Sequence, residues 1–148
     1  MTVSETLQGV ESLFIDTAPL IYYLEAHRKF GPLIKEIIDQ THTQNITIYS
    51  SVITITEVLP KPIQTGNQKL LKKFLDFIVH GTEVILITIS ADIAQTAGEL
   101  RGKHGFLRTM DALQISAASV YETDIFLTND LQLKRVSEME VVALKDLL

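Results

Sequence analysis

Apolar positions fall along this chain in two alternating patterns. Short unbroken runs, LFI (13–15), ITIYS (46–50), EVILITI (83–89), DIFLT (124–128) and VVAL (141–144), have the length and β-branched content of strands buried on both faces. The segments between them carry helical spacing. Pro19 suits a first helical turn, after which Leu20, Ile21 and Leu24 begin an apolar face. FGPLIKEIIDQTH (30–42) sets Leu33, Ile34, Ile37 and Ile38 on one side. NQKLLKKFLDFIV (67–79) reads as one helix whose face of Leu70, Leu71, Phe74 and Ile78 belongs to the core rather than an interface. Ser90 caps ADIAQTAGELRGKHG (91–105), which glycine closes. TMDALQISAASVYE (109–122) follows, with Ala112, Ser116, Ala117 and Ala118 permitting close packing. VITITEVL (52–59) is ambiguous by propensity, and Pro60 ends it.

Strands separated by helices imply crossover connections. The expected fold is therefore an α/β, three-layer α/β/α sandwich with a mostly parallel central sheet. Residues 1–148 read as a single domain, with 1–11 as an N-terminal extension, and no repeat or linker interrupts it.

Composition narrows the picture. A hydrophobic content of 46% over 148 residues and a mean hydropathy of +0.21 support one packed core and argue against disorder. No cysteine is present, which excludes disulfides and thiolate metal sites and points to a reducing compartment. MTVSETLQGVES has neither the basic nor the apolar part of a signal peptide, and no apolar run reaches the length of a membrane span. A cytoplasmic protein without membrane contact is expected. A net charge of −5 argues against broad nucleic-acid binding through a basic surface. It leaves room for a local basic stripe, and for acids that cluster to hold a cation.

Four acids stand at telling places. Asp16 directly follows LFI, at the strand end where open α/β sheets bind ligands, although any single Asp there is more often a helix cap. Glu57 sits among apolar residues of 52–59. Thr54 and Glu57 have capping-box spacing, but Pro60 would end such a helix at once, so a start near Ser51 is preferred and leaves Glu57 needing a partner. Asp111 opens the 109–122 helix, where the macrodipole alone would account for it. Asp130 leaves the DIFLT strand, with Asn129 beside it, and a turn or cap would explain both. In a parallel sheet these residues share one edge. Four converging carboxylates repel one another unless a hard cation neutralises them, and oxygen-only ligands suit Mg²⁺ or Mn²⁺.

His27, His42, His80 and His104 lie scattered near helix ends, where a cation is favourable, and form no competing metal motif. Lys61, Lys69, Lys72, Lys73, Lys103, Lys134 and Arg135 read mostly as solvated faces. Arg101 and Arg108 flank the loop before Asp111 and are the better candidates for touching a phosphate backbone.

FIDTAPLIYYLE, SSVITITEVLPKPIQTGN, LRTMDALQISAASV and FLTND, in this order over nearly the whole chain, resemble the PIN-domain ribonucleases, specifically VapC-type toxins of prokaryotic toxin–antitoxin pairs. The resemblance implies that Asp16, Glu57, Asp111 and Asp130 are both the catalytic and the metal-binding cluster. Thr128 matches the hydroxyl residue accompanying the last acid, and Asn129 is a supporting position where family members vary. It also implies a Mg²⁺ or Mn²⁺ cofactor, an RNA substrate, a cognate antitoxin and a homodimer. Cleavage by an activated water, leaving a 5′-phosphate and a 3′-hydroxyl, is the expected chemistry. The stretch before Ser12 is longer than compact toxins carry. A haloacid-dehalogenase-type phosphatase would need an acid where Ala18 stands, and a response-regulator receiver would need an acidic pair near the first strand that is absent. The remaining alternative is a catalytically inactive PIN-fold module that binds RNA or protein, which the presence of all four acids disfavours.

Overall fold

Alternation within one strand sets the layers of this fold. The computed structural model describes residues 1–148. In β1 (Ser12–Ile15), Leu13 and Ile15 join the core on one face of the sheet, while Phe14 joins the core on the other. The strand is buried on both sides, as parallel strands are. Its partners are β2 (Thr47–Ser51), β3 (Val84–Ile87), β4 (Ile125–Thr128) and β5 (Val141–Ala143). All pair in parallel, in the order β3-β2-β1-β4-β5. Phe14 and Phe126 are directly opposed in register and stack at 5.2 Å between centroids, which locks β1 to β4.

The helices are α1 (Val3–Leu7), α2 (Thr17–Leu24), α3 (Gly31–Thr43), α4 (Val52–Val58), α5 (Pro60–Gln64), α6 (Gln68–Phe74), α7 (Ala91–Lys103) and α8 (Thr109–Val120). Elements α1 to α4 and α6 pack their apolar faces on one side of the sheet and α7 and α8 on the other. The chain builds β1, β2 and β3 outward in one direction, then crosses to β4 beside β1. Strand order therefore reverses between β1 and β4, the place where open α/β sheets form a crevice at the strand ends. This three-layer α/β/α arrangement is the one the hydrophobic pattern implies.

Local differences have physical reasons. Residues 1–11 include a capped helix, α1, whose Val3 and Leu7 are buried in the main core against α3. The ambiguous 52–59 segment is helical from a Ser51 cap, and Pro60 begins α5 rather than lying inside a helix. Thr54 makes no capping box with Glu57, because its hydroxyl is engaged by Ser50, Thr17 and Gln114. The 67–79 helix is regular only to Phe74. Leu75–Val79 forms a π-helical turn, and Phe74 and Ile78 still face the core. Gly81 follows it where a Cβ would lie 2.6 Å from the Phe77 carbonyl oxygen. His27 Nδ1 accepts hydrogen bonds from the Lys29 and Phe30 amides ahead of α3.

A candidate acidic active site at the strand-order reversal

The four acids come together. Asp16, Glu57, Asp111 and Asp130 line one cleft of about 600 Å³, with Thr17, Thr128, Asn129 and Lys145 among its other walls. Each arrives by a different route. Asp16 ends β1 and caps α2, its Oδ1 accepting from the Thr17 amide at 2.9 Å. Asp130 follows β4 and caps the 3₁₀ turn Leu131–Arg135 through the Gln132 amide. Asp111 lies in the first turn of α8 and Glu57 in the second turn of α4. The capping explanations for Asp16 and Asp130 are correct, and they are also what aims these carboxylates at the cleft.

Hydroxyls fix the acids. Thr128, fully buried at the end of β4, donates to Asp16 Oδ2 at 2.8 Å and accepts from the Asp130 amide at 3.1 Å. One side chain thus relates two of the acids. Thr17 donates its only hydroxyl proton to Glu57 Oε1 at 2.6 Å. Beneath Thr17 lies Gln114, 1% exposed, whose amide nitrogen donates to Thr17 and Thr54 at 3.3 and 3.0 Å while its oxygen accepts from Ser51. Ser50 completes the layer, bonding Thr54 and donating to the Ile15 carbonyl. Sequence reasoning overlooked Thr17, Gln114 and Lys145. Gln114 stands three residues after Asp111, so helical periodicity could have found it, whereas Lys145 reaches the cleft only because β5 pairs with β4.

Asn129 also lines the cleft, its Nδ2 donating to the Tyr22 hydroxyl at 3.0 Å while its buried Oδ1 has no partner. The two arginines separate. Burial raises the Asp111 pKa, and the Arg108 charge opposes that rise. Arg101 Nε instead donates to the Leu107 carbonyl at 3.4 Å, pinning the loop before α8.

Charge is unbalanced in the cleft. Burial raises the Asp16 pKa to about 6, with the Thr128 and Thr17 hydrogen bonds opposing it and the Asp111 and Glu57 charges adding to it. Asp111 is also raised, by burial and then by the neighbouring charge of Asp130, with Glu57 adding to it. No lysine or arginine forms an ion pair with any of the four. As placed, no three of the carboxylates are close enough to ligate a single ion without some movement. The donor set still fits a hard divalent cation. It is all oxygen, it is anionic, and its uncompensated repulsion is what such an ion offsets.

The comparisons bear on the family and the fold. The PIN domain family model matches residues 13–139. Among curated proteins none matches the sequence. The fold is similar to that of VapBC from Salmonella typhimurium bound to DNA, at 15% identity and a TM-score of 0.74, covering 90% of this chain and 98% of that one. VapBC2 from Rickettsia felis, bound to a promoter DNA fragment, is similar at 20% identity and 0.67, covering 89% and 98%. Mycobacterium tuberculosis VapC20, a Sarcin-Ricin loop cleaving toxin, is similar at 15% identity and 0.65, covering 86% and 98%. At such identities the structures speak for the fold, and the family model spans most of the sequence. The chain belongs to the PIN domain family.

Proposed function

We propose that this protein is a divalent-metal-dependent endoribonuclease, the VapC-type toxin of a toxin–antitoxin pair acting in the cytoplasm. The observation that carries the reading is the convergence of Asp16, Glu57, Asp111 and Asp130 on one cleft at the strand-order reversal, with Asp16 and Asp111 destabilised as anions. Asp16, Glu57 and Asp111 would hold a Mg²⁺ or Mn²⁺ ion, and Asp130 would complete the cluster or hold a second one. Such an ion, when bound, supplies polarisation of the scissile phosphate and a lowered pKa for the attacking water. The chain's own residues supply the rest. Thr128 and Thr17 keep Asp16 and Glu57 oriented with their charge exposed to the cleft. Asp130, the more solvent-exposed of the strand-end acids, is suited to accept the proton that the water releases. Lys145 lines the cleft and the Arg108 charge acts on Asp111, so both are suited to the flanking phosphates.

RNA as the substrate is supported by one fold neighbour, a toxin that cleaves the Sarcin-Ricin loop. An antitoxin partner is supported by the toxin–antitoxin complexes among the neighbours. A homodimer remains part of the proposal on family grounds. No helix is long and apolar enough to cross a membrane.

The test is cleavage of structured and single-stranded RNA by purified protein with Mn²⁺ or Mg²⁺, alongside the Asp16→Ala and Asp111→Asn variants. Cleavage that needs the ion, leaves 5′-phosphates and is lost in both variants is expected. Equal cleavage by wild type and variants would remove the assigned site. Partner binding without cleavage under any divalent ion would favour a non-catalytic module.

A further inference from the structure

The acids Asp111 and Asp130 are carried on two separate arms. Asp111 stands at the start of α8, directly after the turn 104–108. Asp130 begins the segment 131–139 that leads to β5. No main-chain hydrogen bond joins the turn to the segment. Leu107, Leu133 and Val136 share one apolar cluster, which supplies attraction but little direction. Direction comes from two side-chain contacts. His104 Nε2 and Glu138 Oε1 meet at 2.8 Å, with side chains only 19% and 32% exposed. The Arg135 guanidinium lies over the Phe106 ring, 4.2 Å from its centroid, and His104 and Phe106 themselves meet edge-on. The hydrogen bond from His104 also holds the Glu138 carboxyl below its usual range.

From these contacts we infer that His104, Glu138, Phe106 and Arg135 form a clasp that sets the spacing of Asp111 and Asp130, making them positioning residues for the metal-binding acids. His104, read from sequence near a helix end, and Arg135, read as part of a solvated face, are thereby assigned to internal contacts. The inference rests on the proposed ribonuclease reading, since it concerns the same acids. Its physical basis is that the cation sites of such clusters depend on ligand placement, and that groups one layer out commonly change metal affinity by about 10-fold or more.

The experiment measures Mn²⁺ binding by calorimetry and RNA cleavage kinetics for wild type, the double variant His104→Ala/Phe106→Leu, His104→Gln and Lys134→Ala. Thermal melts identify the folded fraction. The double variant is expected to bind Mn²⁺ about 10-fold more weakly, with a similar fall in kcat and an unchanged KM for RNA. His104→Gln retains a donor for Glu138 and is expected to recover most of the loss. Lys134→Ala breaks an ion pair on the same segment that does not reach the turn, and should match wild type. Amide hydrogen exchange supplies an independent reading, with faster exchange expected at both 107–112 and 128–133 in the double variant. Mn²⁺ affinity and kcat within twofold of wild type, or a rise in KM alone, would overturn the clasp. If wild type neither binds Mn²⁺ nor cleaves RNA, the proposed function fails. The exchange data then decide the clasp alone, and unchanged protection in both segments would overturn it.

Discussion

Thr128 donates its hydroxyl to Asp16 Oδ2 across 2.8 Å, joining the ends of two adjacent strands whose residues are 112 positions apart in the chain. The same oxygen accepts the Asp130 amide, so a single buried atom ties the carboxylate of one acid to the backbone of another. Replacing it should therefore affect both. Thr128→Val keeps the shape and removes the hydroxyl, leaving two polar groups without their partner. A loss of about 1–3 kcal/mol in stability is expected by denaturant titration. Because this hydrogen bond lowers the Asp16 pKa, its removal should shift the acid limb of the activity profile to higher pH. Thr128→Ser should restore both, and a Val variant with an unmoved limb would show that the hydroxyl does not tune Asp16.

Ion-free protein should lose stability as pH rises from about 4 to about 6. Asp16 titrates near 3.8 when unfolded and near 6 when folded, so over this window the folded state binds more protons. The penalty grows through that window and persists above it, reaching at most about 3 kcal/mol from the size of the shift. Mn²⁺ should raise the melting temperature more at pH 7.5 than at pH 4.5, since it binds the ionised form. Asp16→Asn should flatten the ion-free profile. An ion-free profile that instead rises steadily to pH 7 in wild type would contradict the raised pKa.

Thr17 and Gln114 should separate function from stability. Thr17→Val removes the donor at 2.6 Å from Glu57 and should lower kcat by about 10-fold or more, with Thr17→Ser close to wild type. Gln114→Leu leaves Ser51, Thr17 and Thr54 short of partners in a buried layer, and should cost about 2–3 kcal/mol. Thr17 can still donate to Glu57 in that variant, so its folded fraction should keep most of its activity. A larger kcat loss in Gln114→Leu than in Thr17→Val, measured per folded molecule, would reverse this assignment.

Gly81→Ala should destabilise without touching the chemistry. A Cβ there would stand 2.6 Å from the Phe77 carbonyl oxygen and 2.8 Å from that of Asp76, both backbone atoms of the π-helical turn. The clash forces the turn to shift, at a cost of about 1–3 kcal/mol. Residue 81 lies outside the acidic cleft, so kcat and KM of the folded fraction should be unchanged. A melting temperature equal to that of wild type would show that the turn adjusts freely.

Hydrophobic periodicity is a local property, and what depends on it was legible before any coordinates. The five apolar runs became the five strands, with ends shifted by at most two residues, because burial on both faces favours unbroken apolar runs. Asp16, Glu57, Asp111 and Asp130 stood out for a related reason, being carboxylates within or at the borders of apolar segments, and all four line the same cleft. Other features depended on which element lands beside which. Strand order placed β4 next to β1, and only that adjacency lets Thr128 reach Asp16 and β5 bring Lys145 to the cleft. The pairing of His104 with Glu138 spans 34 residues, and sequence reading placed His104 only near a helix end. Likewise Val3 and Leu7 look like the ends of a short polar extension, yet the α3 surface buries them. The sequence by itself determined the elements and the acids, through spacing and burial cost. Tertiary structure alone decided the hydroxyls, the amide and the clasp that aim those acids, because a hydrogen-bond partner distant in sequence leaves no periodic trace in the chain.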